Sequence, residues 1–225
     1  EAALGRAGVR LDQVDYVIVT PFQPYAIGNL TDFPKAQYCL SKRGWIEFHA
    51  PRWREHPHDY RPFVIPEKIL VPLVTSRWHQ VRLLEDEEEL LPGLSVFWVG
   101  THHRSSLAVK VRTTEGTVIA SDAFFRYENV TENRPLGINE SLEECLAAYD
   151  RIRREADILI PLYDPRVFER HPPCAARRQR CLRVFAVEHE TFARELLRAL
   201  EIVGGERQSC GERGRFGQGG VLSEQ

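Results

Sequence analysis

The chain has 225 residues, of which 43% are hydrophobic and 28% charged, and this suffices for one large domain or two small ones. A formal net charge of −2 gives no electrostatic reason to expect nucleic acid as a partner. No apolar run reaches the length of about 18 residues that spans a membrane, and the sequence leads us to expect no signal peptide. We therefore expect a cytoplasmic globular protein without a nucleic-acid or membrane partner.

Cysteine and methionine usage adds two expectations. The five cysteines form no CxxC pair, which argues against a disulfide framework or a zinc knuckle and favours reduced thiols. The chain has no methionine and begins Glu1-Ala2-Ala3. We expect from this that the natural N-terminus is missing.

The first part of the chain predicts short strands and helices. In chain order, these are a helix and turn over 1–13, a buried strand over 15–20, a strand over 36–40, a helical turn over 43–49, and a helix over 67–75 that starts after Pro66. Residues 51–66 are rich in Pro, His, Arg and aromatic residues, which is typical of an ordered surface loop or of a lid over a site. The acidic run 85–89 predicts a solvated turn.

The second part predicts a β region followed by a helix and a last strand. Three strands are predicted over 94–100, 106–112 and 117–121, with a hairpin turn at Glu115-Gly116. Ser141 and Glu144 have the spacing of a capping box, which starts a helix that continues to about residue 156. A buried strand over 157–162 follows. This order of elements indicates an α+β layered domain.

The composition changes after residue 173. Residues 174–225 form an Arg/Gly-rich C-terminal tail in which 190–203 could form an amphipathic helix and 204–220 are predicted to be disordered. Arginine and glutamate nearly balance there, so a basic arm for nucleic acid is disfavoured. We therefore predict one domain over 1–173 and a separate tail.

Four segments resemble the metallo-β-lactamase superfamily, and in particular its N-acyl-homoserine lactonases. They are VDYVIVTPFQPYAIGNLTDFPKAQYCLSKRGW, WVGTHHRSSLAVKV, GTVIASDAFF and ILIPLYDPRVFERHP, in the family's order and at its spacing. The resemblance implies an αββα sandwich over roughly residues 10–173. Because the family's first metal loop falls at residue 20 here, it also implies that several N-terminal strands are missing.

The resemblance places the family's zinc ligands on seven positions, most of which cannot hold zinc. These are Pro21, Gln23, Tyr25, Ala26, His102, Asp122 and Tyr163. Zinc takes imidazole, thiolate or carboxylate ligands, so only His102 and Asp122 keep a ligand type. They are vestigial metal positions, and we expect no cofactor, with zinc as the alternative.

Three interpretations of these residues remain open. His102 and Asp122 could be a hydrogen-bonded remnant that supports the loop, or part of a surviving mononuclear metal site. They could also belong to a repurposed catalytic or ligand pocket built from Gln23, Tyr25, His102, Asp122 and Tyr163. His103 could add a third ligand only if the strand turned locally, because neighbours on a strand face opposite sides.

These interpretations of the site lead to three hypotheses for the function. The first hypothesis is a binding or regulatory module, and the second is a metal-free acid–base catalyst that uses Tyr25, His102 or Tyr163. The third is a metal-dependent hydrolase of a small ester or lactone, with ligands from elsewhere. A small-molecule ligand or substrate suits all three. The pair His56 and His58 has metal-like spacing but lies outside the family's motif.

Overall fold

The structure is a computed structural model that describes residues 4, 8–50, 65–171 and 184–186. The predicted loop or lid, the paired His56 and His58, and the predicted helix over 190–203 lie outside these residues. No helix in the described ranges is long and apolar enough to cross a membrane.

The described elements form two β-sheets and six short or medium helices. The strands are β1 Tyr16–Ile18, β2 Gln37–Ser41, β3 Val81–Leu84, β4 Glu87–Leu91, β5 Leu94–Trp98, β6 Leu107–Thr113, β7 Gly116–Ser121, β8 Ile158–Pro161 and β9 Val184–Ala186. The helices are α1 Pro24–Ile27, α2 Lys42–His49, α3 Glu67–Val74, α4 Tyr127–Thr131, α5 Leu142–Glu155 and α6 Arg166–Arg170, with 3-10 turns at Leu11–Gln13, Leu30–Asp32 and Trp78–Gln80.

The two sheets differ in strand direction. The first has the order β3-β2-β1-β9 and is parallel throughout, while the second has the order β4-β5-β6-β7-β8, in which only β7 and β8 are parallel. Parallel neighbours need crossover connections. Of the antiparallel pairs, β4–β5 and β6–β7 are joined by tight turns, and β5–β6 by the longer segment 99–106. The turn between β6 and β7 uses Gly116 at φ +127°, a left-handed conformation that favours glycine.

Three apolar clusters lie between the layers of the fold. Ile18 and Leu84 of the first sheet pack against Val96 and Val109 of the second. The other face of the first sheet packs on α1, α2 and α3 through Tyr38 and Leu40 among others. The other face of the second sheet packs on α4 and α5. Each sheet therefore buries both faces, one against the other sheet and one against helices.

Several local predictions agree with the observed elements. The strands over β5, β6 and β7 and the helices α2, α3 and α5 lie within two residues of their predicted bounds. Ser141 caps α5 by accepting a hydrogen bond from the Glu144 N–H at 3.3 Å. The Glu144 carboxylate pairs with Arg104 at 2.6 Å. Only half of the predicted capping box is therefore seen.

Two edge strands differ from the sequence analysis. The acidic run predicted as a solvated turn contains strand β4, which pairs antiparallel with β5, so that prediction was wrong. Glu87 and Glu89 are more exposed than Leu90 in this strand, and charged outward side chains are common on edge strands. Strand β9 falls within the predicted tail and pairs with β1 at the other sheet's edge.

Candidate functional site

The residues of the candidate site come from chain segments that follow strands at one edge of the two sheets. Thr20 follows β1, Asp122 follows β7, and Tyr163 follows β8. Because β7 and β8 are parallel and in register, the segments after them leave the sheet side by side. The segment 99–106, which joins β5 to β6, brings His102 to the same edge.

Asp122 is the buried centre of this cluster. Its side chain is fully buried, and both of its oxygens accept hydrogen bonds. Oδ1 accepts from the Thr20 hydroxyl at 2.6 Å, and Oδ2 accepts from the Ser106 hydroxyl at 2.5 Å. His102 Nδ1 lies 3.2 Å from the same Oδ2. A buried carboxylate needs such partners, because its desolvation is costly without them.

Thr20 and Ser105 join the first sheet to the second at this point. The Thr20 hydroxyl accepts from the Leu107 N–H at 2.8 Å and lies 3.0 Å from the Leu107 carbonyl oxygen. The Ser105 hydroxyl accepts from the Phe22 N–H at 2.8 Å. Hydrogen bonds between buried groups of two sheets fix their relative position, since an unpaired partner would be costly.

His103 lies beside His102 and contacts two of the predicted site residues. Its Nε2 lies 2.9 Å from the Tyr25 hydroxyl, and its Nδ1 lies 3.3 Å from Gln23 Nε2. The His102 and His103 ring centroids are 4.0 Å apart. Burial and the neighbouring His102 lower the pKa of His103 to about 4. His103 is therefore neutral at pH 7, with one ring nitrogen donating and the other accepting.

Tyr163 joins the cluster through Phe125. The Phe125 ring packs edge-on against His102 at 5.1 Å and against Tyr163 at 4.7 Å. Tyr25 and Tyr163 are 54% and 42% exposed, whereas His102 is 8% exposed. The rings of five residues thus form a continuous row with a tyrosine at each solvent end, in the order Tyr25, His103, His102, Phe125 and Tyr163. The predicted members are Tyr25, His102 and Tyr163, and the buried Asp122 contacts the row at His102.

Sequence reasoning missed His103, Thr20 and Ser106 as members of the site. Sequence analysis placed His103 on the same side as His102 only if the strand turned locally, and residues 99–106 are such a loop rather than a strand. The signal was present in Gly100-Thr101 and Ser105-Ser106, since clusters of Gly, Ser and Thr favour loops. The hydroxyl partners of Asp122 carried no local signal, because Thr20 is 102 positions away.

The residues present do not fit a dinuclear zinc centre. The side chains of Pro21 and Ala26 offer no ligand atom, and Gln23 and Tyr25 contact His103 instead. Both oxygens of Asp122 already accept hydrogen bonds. In the described part of the chain, no three or more His, Cys, Asp or Glu side chains are grouped to hold a metal ion. Zinc sites usually need at least about three protein ligands.

Comparisons with known proteins show a likeness only at the level of structure. No protein-family model and no curated protein matches the chain. The structure of B. thuringiensis AiiA with N-decanoyl-L-homoserine bound at its active site matches with a TM-score of 0.56 and 17% identity, over 78% of this chain and 65% of that chain. The chain therefore spans less than two thirds of that protein.

Two further solved structures agree. A quorum-quenching N-acyl homoserine lactone lactonase has a TM-score of 0.54 and 18% identity, over 78% of this chain and 67% of that chain. The hydrolase AbOPH of the beta-lactamase superfamily has a TM-score of 0.51 and 12% identity, over 66% of this chain and 55% of that chain. Identities this low show the fold and no activity. The chain has the α+β, two-sheet fold of the metallo-β-lactamase-type lactonase structures over 78% of its length.

Proposed function

We propose that this protein is a zinc-independent homologue of the metallo-β-lactamase-type hydrolases, with their αββα sandwich, that binds a small organic molecule where they hold metal. The observation that carries the proposal is the hydrogen bonding of Asp122. Its two oxygens are hydrogen-bonded to the side chains of Thr20, Ser106 and His102. These three contacts use most of the roughly four lone pairs of the carboxylate, and the site lacks the further ligands that a metal ion would need.

Ligand binding is favoured over acid–base catalysis by the state of His103. The Tyr25 hydroxyl and His103 Nε2, 2.9 Å apart, have the geometry of a proton-transfer pair. A good general base, however, has a conjugate-acid pKa near the working pH, whereas burial and His102 hold the pKa of His103 at about 4. Such an imidazole is a weak base at pH 7 and remains a capable hydrogen-bonding group.

Catalysis by the Tyr25–His103 pair is the second candidate function. It is supported by the same 2.9 Å contact and by the position of Tyr25 at the solvent end of the row of rings. A metal-dependent lactonase, the remaining alternative, needs ligands beyond His102 and Asp122.

Metal analysis tests the zinc-independent part of the proposal. Protein from zinc-replete growth, dialysed without chelator, should hold less than about 0.1 zinc per chain, against about two in a dinuclear site. Its thermal unfolding temperature should not change on adding EDTA or zinc chloride. Stoichiometric zinc that survives dialysis would overturn the proposal.

Calorimetric titration with N-decanoyl-L-homoserine, the molecule bound in B. thuringiensis AiiA, tests the ligand site. We expect saturable binding without added metal, weakened about 5-fold or more in Tyr25→Phe, as the loss of one ligand hydrogen bond would do. Tyr16→Phe is the matched control, because Tyr16 lies on β1 and packs against the core between the sheets. Equal binding by both variants would place the ligand elsewhere.

Hydrolysis of the corresponding lactone separates the two candidate functions. A pure binding protein leaves the lactone intact with and without zinc, while a metal-free catalyst opens it and loses this activity in Tyr25→Phe. Activity that appears only with added zinc would support the metal-dependent alternative.

A further inference from the structure

The side chain of Trp98 contacts the loop that carries His102 and His103 at two separate points. Trp98 is the last residue of β5, and the loop 99–106 follows it directly. Its indole N–H donates a hydrogen bond to the carbonyl oxygen of Arg104 at 2.7 Å. Arg104 is the residue next to His103 in the sequence. The indole therefore ties the far part of the loop to the strand from which the loop begins.

The second point of contact is Gly100, at the start of the loop. A Cβ atom at Gly100 would lie 2.3 Å from Trp98 Cζ2 and 2.4 Å from Cη2, so the backbone passes directly over the indole ring. Gly100 also has φ +65°, a left-handed conformation that favours glycine. The Gly100 backbone and the Arg104 carbonyl thus contact the same rigid ring. Because the ring is rigid, these two contacts fix the distance across the turn between them.

Groups outside the loop hold the Trp98 ring in place. The Arg43 guanidinium of helix α2 lies 4.1 Å from the ring centroid, and a cation over a tryptophan face is a favourable contact. Arg43 Nε in turn donates to Asp86 at 3.1 Å. The backbone N–H of Trp98 donates to the Asp86 carbonyl oxygen at 2.7 Å. The indole is therefore a fixed support for the loop and need not follow its movements.

Ion pairs on the other side of the loop form a second, weaker attachment. The Arg104 guanidinium pairs with Glu140 at 2.9 Å and with Glu144 at 2.6 Å. The Glu140 N–H donates to the Thr101 carbonyl oxygen at 2.9 Å. Partly exposed ion pairs contribute little, because water screens them and two long side chains must be ordered. The contacts of Trp98 reach the backbone of the loop, so they do not depend on the charge of Arg104.

We propose that Trp98 is a positioning residue of the ligand site, which holds the loop in the turn that places His103 against Tyr25 and Gln23. The ring nitrogens of His103 lie 2.9 Å from the Tyr25 hydroxyl and 3.3 Å from Gln23 Nε2. A shift of the neighbouring Arg104 carbonyl would move this imidazole, and binding groups must be held to within about 0.5 Å. The effect on ligand binding rests on the proposed function, whereas the placement of His103 can be measured without a ligand.

Proton NMR of the full chain tests the placement of His103. We expect a cross-peak between the ring protons of Tyr25 and His103 in the unmodified chain and its loss in Trp98→Phe, which keeps an aromatic ring without the N–H donor. Tyr38→Phe is the matched control, because it also removes a donor to a backbone carbonyl, that of Phe33 at 2.8 Å, on the other face of the first sheet. It should keep the cross-peak. A folded Trp98→Phe protein with an unchanged cross-peak would overturn the inference.

Hydrogen exchange in the unmodified chain covers the case in which Trp98→Phe fails to fold. The Trp98 indole proton is identified by its cross-peak to Gly100. It should exchange with deuterium at least about 10-fold more slowly than the indole proton of Trp78, whose side chain is exposed. Equal exchange rates would show that the bond to the loop is not maintained, and would overturn the inference.

Arg104→Gln separates the role of Trp98 from that of the ion pairs. This variant removes the pairs with Glu140 and Glu144 and keeps the backbone carbonyl that accepts from the indole. The cross-peak between Tyr25 and His103 should therefore persist. Its loss in Arg104→Gln would assign the positioning to the ion pairs and contradict the role given to Trp98.

A double-mutant cycle in calorimetric titrations with N-decanoyl-L-homoserine tests whether Trp98 acts through the contact of His103 with Tyr25. Trp98→Phe should weaken binding about 5-fold or more, as we expect of Tyr25→Phe. The double variant should bind no more weakly than the weaker single variant, because both changes break the same contact. Losses of affinity that multiply would show independent effects and overturn the inference. Absence of binding to the unmodified chain would count against the proposed function, and the cross-peak would still decide the role of Trp98.

Discussion

Replacing Gly44 by alanine tests how closely helix α2 must approach the loop that carries His102 and His103. A Cβ atom at Gly44 would lie 2.3 Å from the Ser105 Cα and 2.8 Å from its backbone nitrogen. Real Cβ atoms do not approach backbone atoms this closely, so either the helix or the loop must move. Ser105 in turn accepts the hydrogen bond of the Phe22 N–H, so a shift of the loop also strains that bond.

Two effects of opposite sign decide the outcome. Alanine in a helix is favoured over glycine by roughly 0.5–1 kcal/mol. Overpacking a filled site costs about 1–3 kcal/mol. Since the clash involves backbone atoms rather than a flexible side-chain end, we expect the second effect to win. Gly44→Ala should therefore destabilise the fold by roughly 1–2 kcal/mol and lower the unfolding temperature by about 2–8 °C.

Gly28→Ala is the matched control for this experiment. Gly28 ends helix α1 with right-handed helical backbone angles, and a Cβ there would meet only the Pro24 carbonyl oxygen at 4.0 Å. The substitution should stabilise by about 0.4–1 kcal/mol, because it reduces the entropy of the unfolded chain. Urea and thermal unfolding of both variants measure the difference. A Gly44→Ala protein stabilised as much as Gly28→Ala would refute the close approach.

Three further predictions concern groups outside the candidate site. Asp164→Asn should destabilise the fold by roughly 1–2 kcal/mol above pH 4, because the Arg166 hydrogen bond lowers the pKa of Asp164 from 3.8 to about 2. This stabilisation should be lost as the pH falls from about 4 to 2. Urea titrations in which the stability difference between the two proteins does not shrink at low pH would contradict it. Cys39 should resist iodoacetamide at pH 8 in the folded protein and react after unfolding, because burial raises its pKa to about 12; peptide mapping that finds it labelled in the native state would argue against its burial. Tyr149→Phe should destabilise by about 1–3 kcal/mol, because the buried Ala123 carbonyl loses the hydroxyl 3.0 Å away, and an unchanged urea midpoint would contradict that contact.

Local signals in the sequence determined the regular core of the protein. Alternating and β-branched runs predicted β5, β6 and β7, and the Ser141 cap with its apolar stripe predicted α5. These elements are readable because their periodicity and their caps involve residues at most a few positions apart. The resemblance in four segments also pointed to the fold that the solved structures share.

The edge strands depended on tertiary pairing. The acidic β4 carries no hydrophobic run, and its backbone is paired by β5. The three-residue β9 is paired by β1 across more than 160 positions of sequence. Short edge strands have weak intrinsic preferences, and the neighbouring strand decides whether they form.

For the candidate site, the sequence predicted which residues are present, and the tertiary structure decided which of them are in contact. Through its resemblance to the lactonases, the sequence predicted which side chains stand at the metal-ligand positions. Only the folded chain decided that His103 turns beside His102, and that Thr20 and Ser106 occupy the oxygens of Asp122. These contacts join segments up to 102 positions apart. Hydrogen-bond partners at that separation follow from how two sheets pack, and no local pattern of residues encodes that packing.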